Sequence, residues 1–183
     1  MKYVTTKYGE SNVINTQEAL NYLDVLREFI IKDIPVAISG KANYLAALGL
    51  SAYTEILGGL YCGDLHKDLN KHYISFIDKF FHADYMKVND KLKNDGLRGL
   101  YYVVRSGLTH EYFIKRTSKI EIDNLPGQSL TCGIIYDQSS DPQIVFYVKQ
   151  YFDDFTSAVA SVDIWYSNLS KVSHHIASSS KNV

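Results

Sequence analysis

Leu97-Arg98-Gly99-Leu100-Tyr101-Tyr102-Val103-Val104-Arg105-Ser106-Gly107-Leu108-Thr109-His110-Glu111-Tyr112-Phe113 is the stretch from which the architecture reads. Leu97, Leu100, Tyr101, Val104 and Leu108 recur at three- and four-residue spacing. That spacing places them on one stripe of a helix predicted to begin near Asp95 and to run to about Ile114. Such a stripe has to be buried against other elements, so the flanking sequence is expected to supply them.

Upstream, it supplies helices. Asn15-Thr16-Gln17-Glu18 has the composition of a helix start, and Leu20, Leu23, Val25, Leu26, Phe29 and Ile30 continue it with an apolar stripe. This first helix is predicted to end before Pro35, because proline removes a backbone donor and crowds the preceding turn. From Lys41 to Tyr61, Leu45, Leu48, Ile56, Leu57 and Leu60 mark a strongly apolar second helix, in which Ala46, Ala47, Gly49 and Ala52 allow close packing at the centre of the fold. A third helix, from about Leu65 to Phe81, carries Leu69, Tyr73, Phe76, Ile77 and Phe80, with His66 and His72 on or beside it. A short polar helix, Asp84 to Asn94, precedes the opening stretch.

Downstream, the period changes. Lys119–Ile122, Leu130–Tyr136 and Gln143–Val148 are short and β-prone, separated by Pro126-Gly127 and Ser139-Ser140-Asp141-Pro142, and predict a small antiparallel sheet or hairpin. Helical spacing returns over Tyr151–Val172. The chain thus reads as one domain over 1–183, with a lead-in at 1–14, a β-prone insertion at 117–149 and a tail at 177–183.

Composition narrows the function classes. With 46% hydrophobic and 21% charged residues, the chain has enough apolar material for a packed core. A net charge of -1 argues against coating nucleic acid by bulk positive charge, leaving room for a local basic site. Cys62 and Cys132 are far apart and outside any CxxC pattern, so neither a disulfide framework nor a cysteine zinc site is expected. Polar residues interrupt the apolar stretches and no signal-peptide run opens the chain, which predicts a cytoplasmic protein with no membrane partner. There is no Gly-rich phosphate loop, HExxH helix, GxSxG elbow or EF-hand pattern. His174-His175 point about 100° apart on a helix and are poorly placed to share a metal; no metal and no cofactor are expected.

The chemically suggestive pair is Arg105 and His110. Arginine stays protonated and offers a planar fork to phosphate oxygens, whereas histidine exchanges protons near neutral pH, so together they suit phosphoryl chemistry without a metal. On an ideal helix, five residues rotate by about 140°, which puts the pair on different faces unless Gly107 distorts the helix or both flank one rim. Pairing or capping near a helix end is the competing role for both. Arg98 and Tyr102 share a helical side with Arg105 and suit a phosphate-and-base surface, a plain helix surface or a dimer contact. Glu111 suits an ordinary solvent-facing position or the orienting of His110, and Lys115 and Arg116 suit the end of a helix or the attraction of RNA.

Val104-Arg105-Ser106-Gly107-Leu108-Thr109-His110-Glu111 resembles the Arg-x4-6-His signature of HEPN domains, including members that read approximately Arg-small-Gly-Leu-x-His-Glu. The resemblance is sharp over about ten residues and architectural elsewhere. It implies a mainly α fold, a HEPN-like helical bundle with a small β-hairpin or sheet inserted before the C-terminal helix. It also implies a homodimer in which motifs from two protomers share a cleft. Active members of the family are metal-independent endoribonucleases in which the ribose 2′-hydroxyl attacks the adjacent phosphate and leaves a cyclic phosphate. Carried onto this chain, His110 transfers a proton and Arg105 holds the phosphate, while Arg98, Tyr102 and Ser106 contact RNA. Many nucleolytic members have Asn, Asp or His after the arginine, where this chain has Ser106. The family also includes noncatalytic interaction or nucleotide-binding modules, and toxin-antitoxin or defence proteins that act beside an antitoxin or nucleotidyltransferase partner.

Overall fold

A computed structural model describes residues 16–63, 65–110, 118–124, 127, 129–138 and 141–161. The fold is mainly helical with a small sheet. Four helices come first: α1 (Thr16–Ser39), α2 (Asn43–Cys62), α3 (Leu69–Phe80) and α4 (Asp84–Asn94). A π-helical turn, Tyr101–Ser106, then runs directly into α5 (Gly107–His110). Strands β1 (Ser118–Glu121), β2 (Ile134–Asp137) and β3 (Gln143–Tyr147) follow, and helix α6 occupies 148–161. The expected positions Glu111, Lys115, Arg116, His174 and His175 lie outside the described residues, as do the lead-in and the tail.

α1 does not stop before Pro35 but continues through it to Ser39. An interior proline costs a helix about 3 kcal/mol, and burying one large aliphatic side chain returns roughly 1.5–3 kcal/mol. Here Ile34, just before the proline, is buried, and Ala37 and Ile38, just after it, pack against the core, so tertiary packing on both sides of the proline outweighs the local penalty. Ile34 reaches that position because Gly49 of α2 has no side chain; a Cβ there would lie 2.9 Å from Ile34 Cδ1.

α2 is the central element, touching α1, α3, the π turn, α5 and β1. Ala46, Ala47, Leu50, Leu57 and Leu60 face the core, while Leu45, expected in the apolar stripe, is 62% exposed. Among the described residues α2 is the one helix long and apolar enough to cross a bilayer, and 56% of that window is buried in the protein's own interior. Its Gly58 lies so close to α3 that an added Cβ would overlap the His72 carbonyl. His72 is accordingly buried.

Three of the tyrosines, Tyr73, Tyr85 and Tyr151, are fully buried with Phe76, Phe146 and Phe155 at the junction of α2, α3, α4, β3 and α6. A buried phenol needs a partner for its hydroxyl. Tyr151 has Thr54 Oγ1 at 2.9 Å and the Tyr73 hydroxyl at 3.3 Å, and Tyr85 donates to Asp154 Oδ2 at 2.6 Å while accepting from the Gly133 amide. Burial pushes Tyr85 and Tyr151 well above the usual phenol range.

The sheet is mixed rather than antiparallel. β3 lies centrally, antiparallel to β2 (Ile134 opposite Phe146) and parallel to β1 (Ser118 opposite Ile144). A short link closes the β2–β3 hairpin, whereas the parallel β1–β3 pair needs the longer connection that carries the chain across from β1 to β2. The sheet is fastened to the helices by side-chain bonds: Tyr136 donates to Asp95 Oδ2 at 2.6 Å and Asn43 Nδ2 to the Ile120 carbonyl at 2.9 Å.

The two cysteines differ sharply in environment. Cys62 is exposed, whereas Cys132 is buried and its thiol is pushed up to about 12 by desolvation. Thiolate is the reactive form. Titration of the native protein with a disulfide reagent at pH 8 is therefore expected to register one thiol, with the second appearing only on unfolding.

Candidate functional site

The helix carrying Arg105 begins at residue 100, later than expected, because residues 95–99 are not helical. Gly99 sits at φ 86°, a conformation that favours glycine, and a Cβ there would lie 2.6 Å from Asn89 Oδ1. That oxygen accepts the Leu100 amide at 3.1 Å. Asn89, fully buried on α4, thus satisfies one of the open donors at the helix start and fixes where the helix begins.

The π-helical turn changes the phase that follows. Bonds running to the fifth residue widen the turn, so residues five apart come closer to one side than they do in an α-helix. Tyr101 and Ser106, which are five apart, line the same depression.

Arg105 lies just inside the end of this turn and faces α2. Its Nε is 3.2 Å from Glu55 Oε2 and its Nη2 donates to Glu55 Oε1 at 3.3 Å. Nη1 donates to Thr109 Oγ1, which itself donates to the Arg105 carbonyl at 2.9 Å. The two charged side chains are only 19% and 10% exposed. Of the five N–H donors of the guanidinium, two are hydrogen-bonded inside the chain, one on each terminal nitrogen, and the buried Nε lies at ion-pair distance from Glu55 without a hydrogen bond, so one donor on each terminal nitrogen remains for a ligand. The Tyr101 hydroxyl bonds to the same carboxylate, and burial together with the charge of Glu55 raises its pKa. Glu55 thus ties two side chains of the motif helix to the central helix.

His110 ends α5 and is exposed. Leu108, two residues before it, is buried, and its carbonyl accepts the Tyr44 hydroxyl. Within one chain, Arg105 is drawn inward to Glu55 while His110 points outward. The remaining expected residues do converge. Tyr102 and Ser106 line one depression of about 400 Å³ with Asp68, Leu69, Asn70, Lys71 and Tyr101, and the Arg98 guanidinium carbon lies 3.7 Å from the Tyr102 ring centroid. Among the described residues no three His, Cys, Asp or Glu side chains are grouped to hold a metal ion.

Glu55, Asn70, Lys71 and Asn89 were not expected from the sequence. Glu55 had a legible signal: it is the one charged residue between Asn43 and Cys62. A lone carboxylate in an apolar helix needs a buried cationic partner. Glu55→Gln keeps the volume and removes the charge, and it is expected to cost about 2 kcal/mol by leaving the half-buried Arg105 without its counter-ion. Urea denaturation checks this; an unchanged midpoint would mean that the pair contributes nothing.

No protein-family model matches the chain, and no curated protein and no solved structure matches it.

Proposed function

We propose that the protein is a cytoplasmic, RNA-binding, HEPN-like helical protein that cleaves RNA without a metal as a homodimer. The observation that carries this reading is that Tyr102 and Ser106 line one depression next in the chain to Arg105, with the Arg98 guanidinium over the Tyr102 ring. Stacked rings and guanidinium groups suit unpaired bases, and the two remaining donors of Arg105 suit a phosphate. In the proposed reaction the 2′-oxygen forms a bond to phosphorus as the bond to the 5′-oxygen breaks. One histidine takes the 2′-hydroxyl proton and another returns a proton to the leaving oxygen. His110 from each protomer fills these roles, and Arg105 stabilises the charge that builds on the phosphate.

Self-association has an apolar surface to use. Val25, Phe29 and Leu69 stay 55%, 39% and 39% exposed around a groove that reaches Ile56 and Glu55. A second copy covering it would bring another motif helix near the first.

A noncatalytic HEPN module, working beside an antitoxin or a nucleotidyltransferase in a toxin-antitoxin or defence setting, is the second reading. It is favoured by the engagement of all three Arg105 nitrogens inside the chain. Incubating the wild-type protein with a mixed RNA pool in EDTA, with the oligomer measured by sedimentation, separates the two. Cleavage leaving cyclic phosphate ends supports the nuclease, whereas a dimer that binds RNA and leaves it intact supports the module. A protein that neither dimerises nor binds RNA overturns both.

A further inference from the structure

We infer that the depression between the entry to α3 and the π-helical turn is a nucleotide subsite that takes one unpaired base of RNA together with its phosphate. The inference rests on the RNA-binding reading above and adds the residues that would receive the nucleotide.

Two elements build the depression. The chain entering α3 contributes Asp68, Asn70 and Lys71, and the π turn contributes Tyr101, Tyr102 and Ser106. Without the wider turn, Tyr101 and Ser106 would diverge by about 140° and the second wall would not form. Its volume of about 400 Å³ falls within the range of small-ligand sites.

The chemistry of the lining selects the ligand. Arg98 lies over the Tyr102 ring, and Tyr101 meets that ring edge-on with centroids 5.2 Å apart at 86°. This makes a flat, cationic surface on which a base stacks and to which a phosphate is drawn. Tyr101 is held from behind by its bond to Glu55, so the wall is fixed before the ligand arrives. Lys71 supplies a second positive charge. The Asn70 amide and Ser106 hydroxyl each donate and accept, which matches the mixed edge of a base, whereas Asp68 only accepts and so favours base N–H groups over phosphate. A lipid tail or an apolar helix would leave these polar groups unpaired.

Fluorescence polarisation with a labelled 2′-O-methyl RNA decamer, which cannot be cleaved, tests the subsite. Tyr102→Ala is expected to weaken binding by about 5- to 150-fold, the equivalent of one lost stack. Tyr102→Phe keeps the ring and is expected to restore binding to within about twofold. Lys71→Glu is expected to weaken binding about tenfold and to flatten its salt dependence, while Lys79→Glu, at the far end of α3, behaves as wild type. If wild type binds the decamer and both Tyr102→Ala and Lys71→Glu bind equally well, the subsite is wrong and the RNA-binding reading stands. Equal losses from Lys71→Glu and Lys79→Glu would reduce the effect to bulk charge and also overturn it. If wild type ignores RNA but binds a nucleoside monophosphate in a Tyr102-dependent manner, the subsite holds and the RNA reading fails. Binding of neither overturns both. Lys71 is exposed, so its variant remains informative even where Tyr102→Ala loses stability.

Discussion

Arg105→Ala and His110→Ala are each expected to reduce the EDTA-resistant cleavage rate by about 10²- to 10⁴-fold, the range that follows loss of a proton-transfer group or of a preorganised charge at the phosphate. The two variants should differ in a second respect. His110 is exposed, so its replacement is expected to leave the melting temperature within about 2 °C of wild type, as surface changes do. Arg105 neutralises Glu55, so its replacement strands a carboxylate that is only 10% exposed and lowers stability as well. Single-turnover rates on a defined RNA, with melting curves for both variants, check the pair. Unchanged cleavage in two folded variants would remove Arg105 and His110 from the chemistry. Because the residues act together, the double variant is expected to lose little more than the worse single one.

Gly58→Ala is expected to cost at least about 4 kcal/mol, lowering the melting temperature by on the order of 10 °C for a chain of this size. The sign is the informative part. Glycine is a poor helix former, so the same change at an open helical position would stabilise by up to about 1 kcal/mol. Here the new methyl would overlap the backbone carbonyl of His72, and a carbonyl within a helix cannot swing aside as a side chain can. α2 and α3 would have to separate, along with the Tyr73, Tyr151 and Thr54 hydroxyl contacts that join α3 and α6 to α2. A melting temperature equal to or above that of wild type would show that the two helices are less tightly joined than this.

The helical period carries most of the fold. Leu23, Leu26 and Ile30 on α1, and Tyr73, Phe76 and Ile77 on α3, recur at the expected spacing and are buried. The polar helix Asp84–Asn94 has the expected limits. What the period does not carry is anything decided by distant partners. Helix α1 passes Pro35 because Ala37 and Ile38 beyond it pack against the core, next to Ile34, which finds space at Gly49, fifteen positions further along the chain. The motif helix starts at residue 100 because of Asn89, on a different helix. β1 pairs in parallel with β3 because the chain between β1 and β2 crosses over, which no local pattern of alternation records.

The site divides in the same way. Arg98 and Tyr102 were legible through their spacing and Ser106 through its place in the motif; Tyr102 and Ser106 line one depression, and Arg98 lies over the Tyr102 ring. The separation of Arg105 from His110 was legible as an angle, but the pull of Arg105 toward α2 was not, because its cause is Glu55, fifty residues earlier. A lone acid among apolar neighbours announces that it must be paired; it does not say with which cation.

The π-helical turn also makes the chain one residue longer here than an α-helix would need. It holds more residues per turn than an α-helix, so the helix already accommodates a surplus residue between the part that meets α3 and the part that meets α2. Losing one residue between Tyr101 and Ser106 would let the turn relax to ordinary α geometry, and because five residues at about 100° each sweep nearly the same angle as six in the wider turn, the helix beyond it would keep its face. Leu108 would stay in the core and Arg105 beside Glu55. Along this helix most positions are held by what the residue is; across these six, one position is spare as far as the direction of the helix is concerned.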